Sequence, residues 1–299
     1  MTMNSSAPAT IPIVELALIT GSASWGLAFP EDVSMAGVEV LARDMAFETP
    51  YGRTENWKLL EFDGAITSDR QPRRTLCMYS HGNPRDEVDH ACHRRAFWVL
   101  RQAGVKRVIT CSTVGAVNRA IRGGDLVIAA DIIEPTQTPY SLLPGRQKFD
   151  ASGKQIVCTN CATILAETSS RLWPLEGRVH GIEQGLVAGH AYGPRLTTPA
   201  EAMMFRTLGA DIINHSIAPE ATLSREIGAC FIPCAFVTAT MNDYLGRDRG
   251  TLLQAGVLER LSQITSTIAL TTAATLPVGE PCTCHALLTA QPPERYERY

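Results

Sequence analysis

Long apolar runs are missing from this chain of 299 residues. A membrane-spanning helix needs roughly 18 or more consecutive apolar residues, and we therefore expect no membrane partner. The first ten residues, MTMNSSAPAT, have neither the basic start nor the apolar centre of a secretory signal. We expect residues 1–10 to be a disordered leader, and residues 11–299 to form one domain of a cytoplasmic protein.

An excess of positive charge is also missing, because 27 lysines and arginines stand against 30 acidic residues. Nucleic-acid-binding domains usually carry a basic patch or stripe. The nearest approach to one is His93-Arg94-Arg95, on a predicted helix, so we expect no nucleic acid partner. The content of 45% hydrophobic and 19% charged residues is typical of a globular protein with a substantial core.

The cysteines do not indicate a secreted disulfide framework. They number nine, which is odd, and they are scattered among apolar neighbours. Two close pairs stand out, Cys158-x-x-Cys161 and Cys282-x-Cys284. A zinc site needs four ligands, and these two pairs could meet only through the fold. We favour solvent-facing or redox-active thiols over structural zinc, with the tail pair as a candidate local staple, and expect no metal site.

Apolar runs of strand length alternate with helical patterns along the chain. Residues 13–20 predict a buried strand, and residues 38–60 predict strands joined by a turn at Pro50-Tyr51-Gly52. Helices are predicted over residues 88–103, 162–172 and 251–274. Alternation without a linker predicts one α/β domain with a mixed central β-sheet flanked by helices.

Three predicted strands end in small residues and hydroxyls. The first leads into Gly21-Ser22, the second, over residues 107–111, opens into Ser112-Thr113, and the third, over residues 211–213, delivers Asn214-His215-Ser216. Ligands of open α/β sheets bind at the carboxyl ends of strands, where N–H groups and hydroxyls can hold an anion. We predict that Ser22, Ser112 and Ser216 converge on one anion.

The helix before the third strand has clear start and stop signals. Thr198 is suited to cap it, Pro199 to take its first position, and Glu201 to lie in its first turn. Gly209 is expected to end it.

The segment around this helix, YGPRLTTPAEAMMFRTLGADIINHSIAPE, resembles the central signature of the trimeric purine nucleoside phosphorylase family and, within it, the methylthioadenosine phosphorylase branch. The resemblance continues in order through LITGS, TPYGR at residues 49–53, SHG at residues 80–82, and ITCSTVGAVN with GGDLVIAADII between residues 109 and 133. The tail, PCTCHAL, resembles the Cys-x-Cys ending of that branch. The resemblance implies a nucleoside phosphorylase-like fold.

It also implies a pentosyltransferase that cleaves the N-glycosidic bond of a purine nucleoside or 5'-methylthio nucleoside with phosphate. Inorganic phosphate would be the co-substrate, no cofactor is needed, and the enzyme would be a homotrimer or a dimer of trimers. The phosphate contacts of the family fall on Ser22, Ser80, His81, Ser112, Thr113 and Ser216. Catalytic roles are implied for Ser22, His81 and Ser216. Sugar and base contacts are expected at Leu196, Thr197, His215, Asn242 and Asp243.

Two positions depart from the family pattern. Ser80 stands where the methylthioadenosine branch has a phosphate-binding arginine, and a serine supplies neither the charge nor the paired donors. Arg85 or Arg94 could supply that charge instead. Ala239 stands where an ungapped comparison places the base-reading Asp or Asn, whereas a shifted loop brings Asp243 there. The alternatives are therefore a phosphate-independent nucleoside hydrolase and a non-catalytic nucleoside-binding relative.

Overall fold

A computed structural model describes residues 10–24, 26–80, 91–136, 140–143, 147–193, 195–241, 253–277, 279 and 282–290. Residues 1–9 of the predicted leader lie outside this set, so the boundary between leader and domain stays a prediction. Among the described helices, none combines the length and the apolarity that a membrane span requires.

The described residues form strands and helices in alternation, as the sequence predicts. The strands are β1 (Leu16–Thr20), β2 (Val38–Thr49), β3 (Gly52–Phe62), β4 (Arg73–Tyr79), β5 (Arg107–Ala116), β6 (Leu126–Val127), β7 (Asp131–Ile133), β8 (Gln147–Phe149), β9 (Val179–His180), β10 (Val187–His190), β11 (Ile212–Asn214), β12 (Cys230–Thr240) and β13 (Leu288–Ala290). The α-helices are α1 (Ala91–Ala103), α2 (Thr159–Leu172), α3 (Pro199–Thr207), α4 (Ile217–Glu226) and α5 (Ala255–Thr275).

All these strands except β8 and β13 belong to one sheet. Its main path is β2-β3-β4-β1-β5-β11-β10-β7, while β12 pairs with β5 and β6, and β9 pairs with β6. Strand β1 is parallel to β4 and β5, whereas β11 is antiparallel to β5. The predicted α/β fold with a mixed sheet is confirmed.

Helices cover both faces of this sheet. On one face α2 and α5 pack against β12, over a core that contains Leu18 and Ile109. On the other face α1 packs against α4, over a core that contains Ile19 and Val108. Because successive residues of a strand point to opposite faces, a strand covered on both sides is apolar throughout. This explains the unbroken apolar runs of β1 and β5.

Strand β5 changes neighbours along its length. It pairs with β1 as far as Cys111, which lies opposite Thr20, and its end pairs with β11 at Gly115 and Ala116. Along its other edge β12 pairs with it from Arg107 to Ala116. Between Cys111 and Gly115, one edge of β5 therefore faces a gap between the ends of β1 and β11.

Two strand boundaries differ from the prediction. Strand β5 continues to Ala116 instead of ending at Cys111, because β12 pairs with it over that whole length. Ser112 and Thr113 consequently lie within a strand. Strand β1 begins at Leu16, three residues later than predicted, since Ile13 is 79% exposed and outside the sheet.

Helix α3 begins as the sequence predicts. The Glu201 N–H donates to Thr198 Oγ1 at 3.2 Å, and the Thr198 N–H donates to the Glu201 carboxylate at 2.8 Å, which completes a capping box. Pro199 takes the first helical position. Gly209 follows the helix with a φ of 93°, in the left-handed region that commonly ends helices.

Replacing the capping side chain should measurably destabilise the fold. We expect Thr198→Ala to lower the free energy of unfolding by about 1 kcal/mol. Thr207→Ala, at the exposed far end of the same helix, should change it by less than about 0.5 kcal/mol. Urea denaturation measures both, and equal losses in the two variants would contradict the capping role.

Candidate active site

Thr113 lies at the gap in the sheet, where side chains replace a neighbouring strand. Its N–H donates to Ser22 Oγ at 3.0 Å, and its carbonyl accepts from Asn214 Nδ2 at 2.9 Å. In a regular sheet both backbone groups would bond to the next strand. Ser22, just after β1, and Asn214, at the end of β11, are thereby held at one point.

The hydroxyls of Ser22 and Thr113 lie 2.7 Å apart. Ser22 Oγ also accepts the Thr113 N–H, and the two hydroxyls share one hydrogen bond between them. One of the two hydroxyl protons is therefore left to donate to a third group. Both side chains are half-buried, so that group can be a ligand. A half-buried hydroxyl with an unused proton can donate a hydrogen bond to a bound anion.

Asn214 connects this hydroxyl pair to helix α4. Its Oδ1 accepts the N–H groups of Ser216 at 2.6 Å and Ile217 at 2.7 Å, and also the Ser216 hydroxyl at 3.2 Å. Asn214 is only 7% exposed, and both ends of its amide are bonded. It therefore fixes Ser216 relative to Thr113. No role is predicted for Asn214 from the sequence, although an Asx residue just before a helix is a known capping signal.

Ser80 lies beside the Ser22 turn, which follows β1 at Gly21-Ser22. Its N–H donates to the Thr20 carbonyl at 2.8 Å. A Cβ atom added at Gly21 would lie 3.3 Å from Ser80 Oγ and 3.3 Å from the Cys111 carbonyl oxygen. Gly21 therefore permits the ends of β1, β4 and β5 to approach closely. Position 80, where the family resemblance implies an arginine, adjoins the Ser22 turn.

Ser112 is held on the other side of β5. It is 5% exposed and precedes Thr113 in the strand, so its side chain points to the opposite face. Thr110 shares that face and lies near Glu220 of α4. Ser22 and Ser216 are linked through Thr113 and Asn214, whereas Ser112 lies on the face of β5 that Thr110 shares, towards Glu220 of α4. The phosphate-binding role of each serine stays a prediction.

His215 lies on the side expected to hold sugar and base. Its Nδ1 bonds to the Ala191 carbonyl, so Nδ1 carries the proton and Nε2 is left as an acceptor. A Cβ atom at Gly193 would lie 3.8 Å from the imidazole Cγ. The ring thus packs beside the loop that leads to Thr197, which is half-buried, and to Leu196, which is 80% exposed.

Several predicted residues cannot be placed in this site. His81, Arg85, Asn242 and Asp243 lie outside the described residues. The guanidinium of Arg94 lies over the Tyr51 ring, 4.0 Å from its centroid, in a cation–π contact.

Strand β12 contains one extra residue just before the predicted base-reading loop. Its pairing with β5 shifts between Val237 and Ala239, and the intervening Thr238 donates its hydroxyl to the Val114 carbonyl at 3.4 Å. A bulge of this kind displaces all later residues along the strand. The shifted loop, which brings Asp243 to the base, and the ungapped comparison, in which Ala239 stands there, both stay predictions from sequence.

Glu220 carries a buried carboxyl in the first turn of α4. Its N–H donates to the Ser216 carbonyl at 3.0 Å, and the residue is 2% exposed. Burial raises the pKa of the Glu220 carboxyl to about 8, although the nearby hydroxyls of Ser216 and Thr110 oppose the shift. At neutral pH the carboxyl is mostly protonated. It therefore places little negative charge beside the candidate anion site.

This raised pKa makes stability depend on pH. The stabilisation linked to the Glu220 proton is complete below the ordinary pKa of 4.5 and is lost as pH rises to about 8. The loss amounts to about 1.4 kcal/mol per pH unit within that window. Glu220→Gln mimics the neutral acid. We expect the free energy of unfolding of Glu220→Gln, relative to that of the wild type, to increase steadily between about pH 5 and pH 8.

Denaturant unfolding at several pH values measures this difference. Glu167→Gln, at an exposed position of α2, is the matched control and should track the wild type. A constant difference between Glu220→Gln and wild type would contradict a buried, protonated carboxyl.

Comparison with known proteins identifies relatives of this chain. The chain is 29% identical over 205 residues to a probable S-methyl-5'-thioinosine phosphorylase of Methanothermobacter thermautotrophicus, covering 68% of this chain and 66% of the relative. It is 32% identical over 192 residues to a probable 6-oxopurine nucleoside phosphorylase of Moorella thermoacetica, covering 62% and 70%.

A crystal structure of a methylthioadenosine phosphorylase from an Antarctic soil metagenomic library has the same fold. It superposes with a TM-score of 0.70 at 20% identity, covering 93% of this chain and 91% of the other. The family model described as "Phosphorylase superfamily" matches residues 37–276, which is most of the chain. The protein is therefore a member of the phosphorylase superfamily.

Proposed function

We propose that this protein cleaves the N-glycosidic bond of a purine nucleoside or a 5'-methylthio nucleoside with phosphate. The products are the free base and ribose 1-phosphate or its methylthio analogue. The observation that carries the proposal is the hydrogen-bonded series Ser22, Thr113, Asn214 and Ser216 at the carboxyl end of β1 and β11. The names of the relatives support the purine nucleoside class, and no organic cofactor enters the proposal.

The series suits the charge that develops during phosphorolysis. As the base leaves, positive charge builds on the ribose, and an anion held against one face stabilises it. The free proton of the Ser22 and Thr113 pair donates to phosphate. The Ser216 hydroxyl does so by turning its proton from Asn214 Oδ1 to the anion, while Asn214 Oδ1 keeps the N–H groups of Ser216 and Ile217. The N-terminus of α4 is close by and favours anions. The protonated Glu220 avoids repelling that anion. No covalent nucleophile is required.

The sugar and base are assigned to the residues beyond His215. Its Nε2 is free to accept a hydrogen bond from a ribose hydroxyl, because Nδ1 donates to the Ala191 carbonyl. Leu196 and Thr197 supply the adjoining pocket wall. Asn242 or Asp243 contacts the purine, and this assignment stays a prediction from sequence, as does a cytoplasmic location.

Ser80 favours a second candidate function. The methylthioadenosine branch is expected to carry a charged phosphate ligand here, and Ser80 is neutral beside the Ser22 turn. A phosphate-independent nucleoside hydrolase would need no such charge. The two functions differ in one observable, the dependence of base release on phosphate concentration.

A phosphate titration with Ser80→Arg separates them. If phosphate is the second substrate, the missing charge weakens its binding by about 1.5–3 kcal/mol, or about 10- to 150-fold. The wild type should then need unusually high phosphate, and Ser80→Arg should lower the half-saturating concentration. Ser80→Gln, which adds length without charge, is the control and should not lower it.

A wild type that releases base at full rate in phosphate-free buffer, with Ser80→Arg unchanged, would establish the hydrolase instead. A wild type that saturates at low phosphate would show that another group, such as Arg85, supplies the charge. Arg85→Ala should then raise the phosphate requirement.

A homotrimer, or a dimer of trimers, is part of the proposal. The segment through α3 exposes apolar side chains whose exposed fractions are 47% for Tyr192, 80% for Leu196, 44% for Met203, 41% for Met204 and 50% for Leu208. Exposed apolar side chains concentrated in one segment are typical of a protein interface.

Sedimentation equilibrium tests the assembly. We expect the wild type to be a trimer or hexamer at micromolar concentration, and Leu208→Glu to shift it towards smaller species by placing a charge in the interface. Leu175→Glu, at an exposed leucine beyond α2, should leave the assembly unchanged. A monomeric wild type would contradict the proposal.

A further inference from the structure

Four cysteines from three distant parts of the chain meet at one point. Cys158 precedes α2, Cys230 begins β12, and Cys282 and Cys284 belong to the tail. Their Sγ atoms all lie within 4.8 Å of one another. Two of the separations are 3.7 Å, between Cys158 and Cys282, and 3.3 Å, between Cys230 and Cys282.

This arrangement corrects the sequence-based interpretation of the cysteine pairs. The sequence favours solvent-facing or redox-active thiols at Cys158 and Cys161. The solvent-facing alternative is wrong, since they are 3% and 5% exposed where the start of α2 packs against β12. The fold brings the tail pair to Cys158 across the intervening sequence. It also adds Cys230, which belongs to neither of the two pairs that the sequence singles out.

The separations match those of ligands around one tetrahedral ion. With Zn–S bonds of about 2.3 Å, the four sulfur atoms of a tetrahedral zinc site lie about 3.8 Å apart. The observed values of 3.3 Å and 3.7 Å, with an upper limit of 4.8 Å for the others, bracket that distance. A small adjustment of side chains therefore suffices to bind an ion.

We propose that Cys158, Cys230, Cys282 and Cys284 bind one Zn²⁺ as thiolates. Thiolate ligands select zinc and other soft metals, not Mg²⁺ or Ca²⁺. Four protein ligands leave no open position, so the zinc is structural and not catalytic. Each thiol releases its proton to solvent on binding.

The groups around the cluster support this assignment. The Cys284 N–H donates to Cys282 Sγ at 3.4 Å, a bond that orients a thiolate ligand. Arg225 lies near enough to act electrostatically on Cys284, and its Nε donates to the Ile156 carbonyl at 2.6 Å, beside the start of α2. A zinc ion with four thiolates carries net negative charge, which a buried guanidinium offsets.

A route for the metal is also present. A cavity of about 340 Å³ opens beside the cluster and is lined by Cys230, Cys282, Cys284 and His285. Cys282 and Cys284 are half-buried, so an ion can reach them from this side.

The zinc site is separate from the candidate active site. Cys230 pairs with Arg107 at the first residue of β5, whereas Thr113 pairs with Phe236. Six residues of strand span about 20 Å. The zinc proposal therefore does not depend on whether the protein catalyses phosphorolysis.

The metal would attach the tail to the domain. The residues after Cys284 continue into β13, which pairs with β8, and the Asp150 N–H donates to the Leu287 carbonyl at 2.9 Å. By holding Cys282 and Cys284 against Cys158 and Cys230, zinc fixes this whole two-stranded unit.

Metal analysis of the full chain, purified without chelators, tests the site. We expect one zinc per chain, and replacement by Co²⁺ should give the intense visible and near-ultraviolet bands of tetrahedral thiolate coordination. Cys282→Ser and Cys284→Ser, both in the tail, should lose the metal and cleave more readily within the tail under limited proteolysis. Cys234→Ser, on the same strand as Cys230 but outside the cluster, is the matched control and should keep both metal and tail protection.

Three results would overturn the proposal. Metal-free protein with fewer than nine titratable thiols would show that the cysteines form disulfides. Nine free thiols with no Zn²⁺ or Co²⁺ bound would show that they are inert. Zinc retained at full stoichiometry in Cys282→Ser and Cys284→Ser would place the metal elsewhere.

Discussion

The carboxamide of Asn214 is the group on which the candidate site most depends. Strand β5 pairs with β1 as far as Cys111 and with β11 only from Gly115. Between these residues the N–H and carbonyl of Thr113 have no neighbouring strand to bond. A buried backbone group left unsatisfied costs about 1–3 kcal/mol. Ser22 and Asn214 satisfy these two groups. The same bonds that complete the sheet therefore position the hydroxyls of the site.

This arrangement joins the site to the stability of the fold. Asn214 also caps α4 through the N–H groups of Ser216 and Ile217, so moving its side chain would disturb the sheet, the helix start and the Ser216 hydroxyl together. Glu220 adds a second constraint, because its carboxyl is buried in the next turn and stays largely neutral at physiological pH. An anion can then be held by neutral donors and the helix N-terminus without an adjacent negative charge.

Features set by neighbouring residues could be predicted from the sequence. The capping box of α3 depends on Thr198 and Glu201, and the alternation of strands and helices depends on local apolar periods, so both are confirmed. The extension of β5 through Thr113 depends on pairing with β12, which follows more than a hundred residues later. The bonds of Asn214 and the position of Cys230 likewise require partners that only the fold brings near. The hydrogen bond between the Ser22 and Thr113 hydroxyls is a further case, because these two residues are 91 positions apart in the sequence.

A crystal structure of the protein in phosphate most directly tests this account. The account predicts one phosphate in the gap beside Thr113, with its oxygens within hydrogen-bonding distance of the Ser22 or Thr113 hydroxyl and of the Ser216 hydroxyl, while Asn214 keeps its bonds to the Thr113 carbonyl and to α4. Phosphate bound away from these hydroxyls, or an empty gap at concentrations that saturate base release, would contradict it.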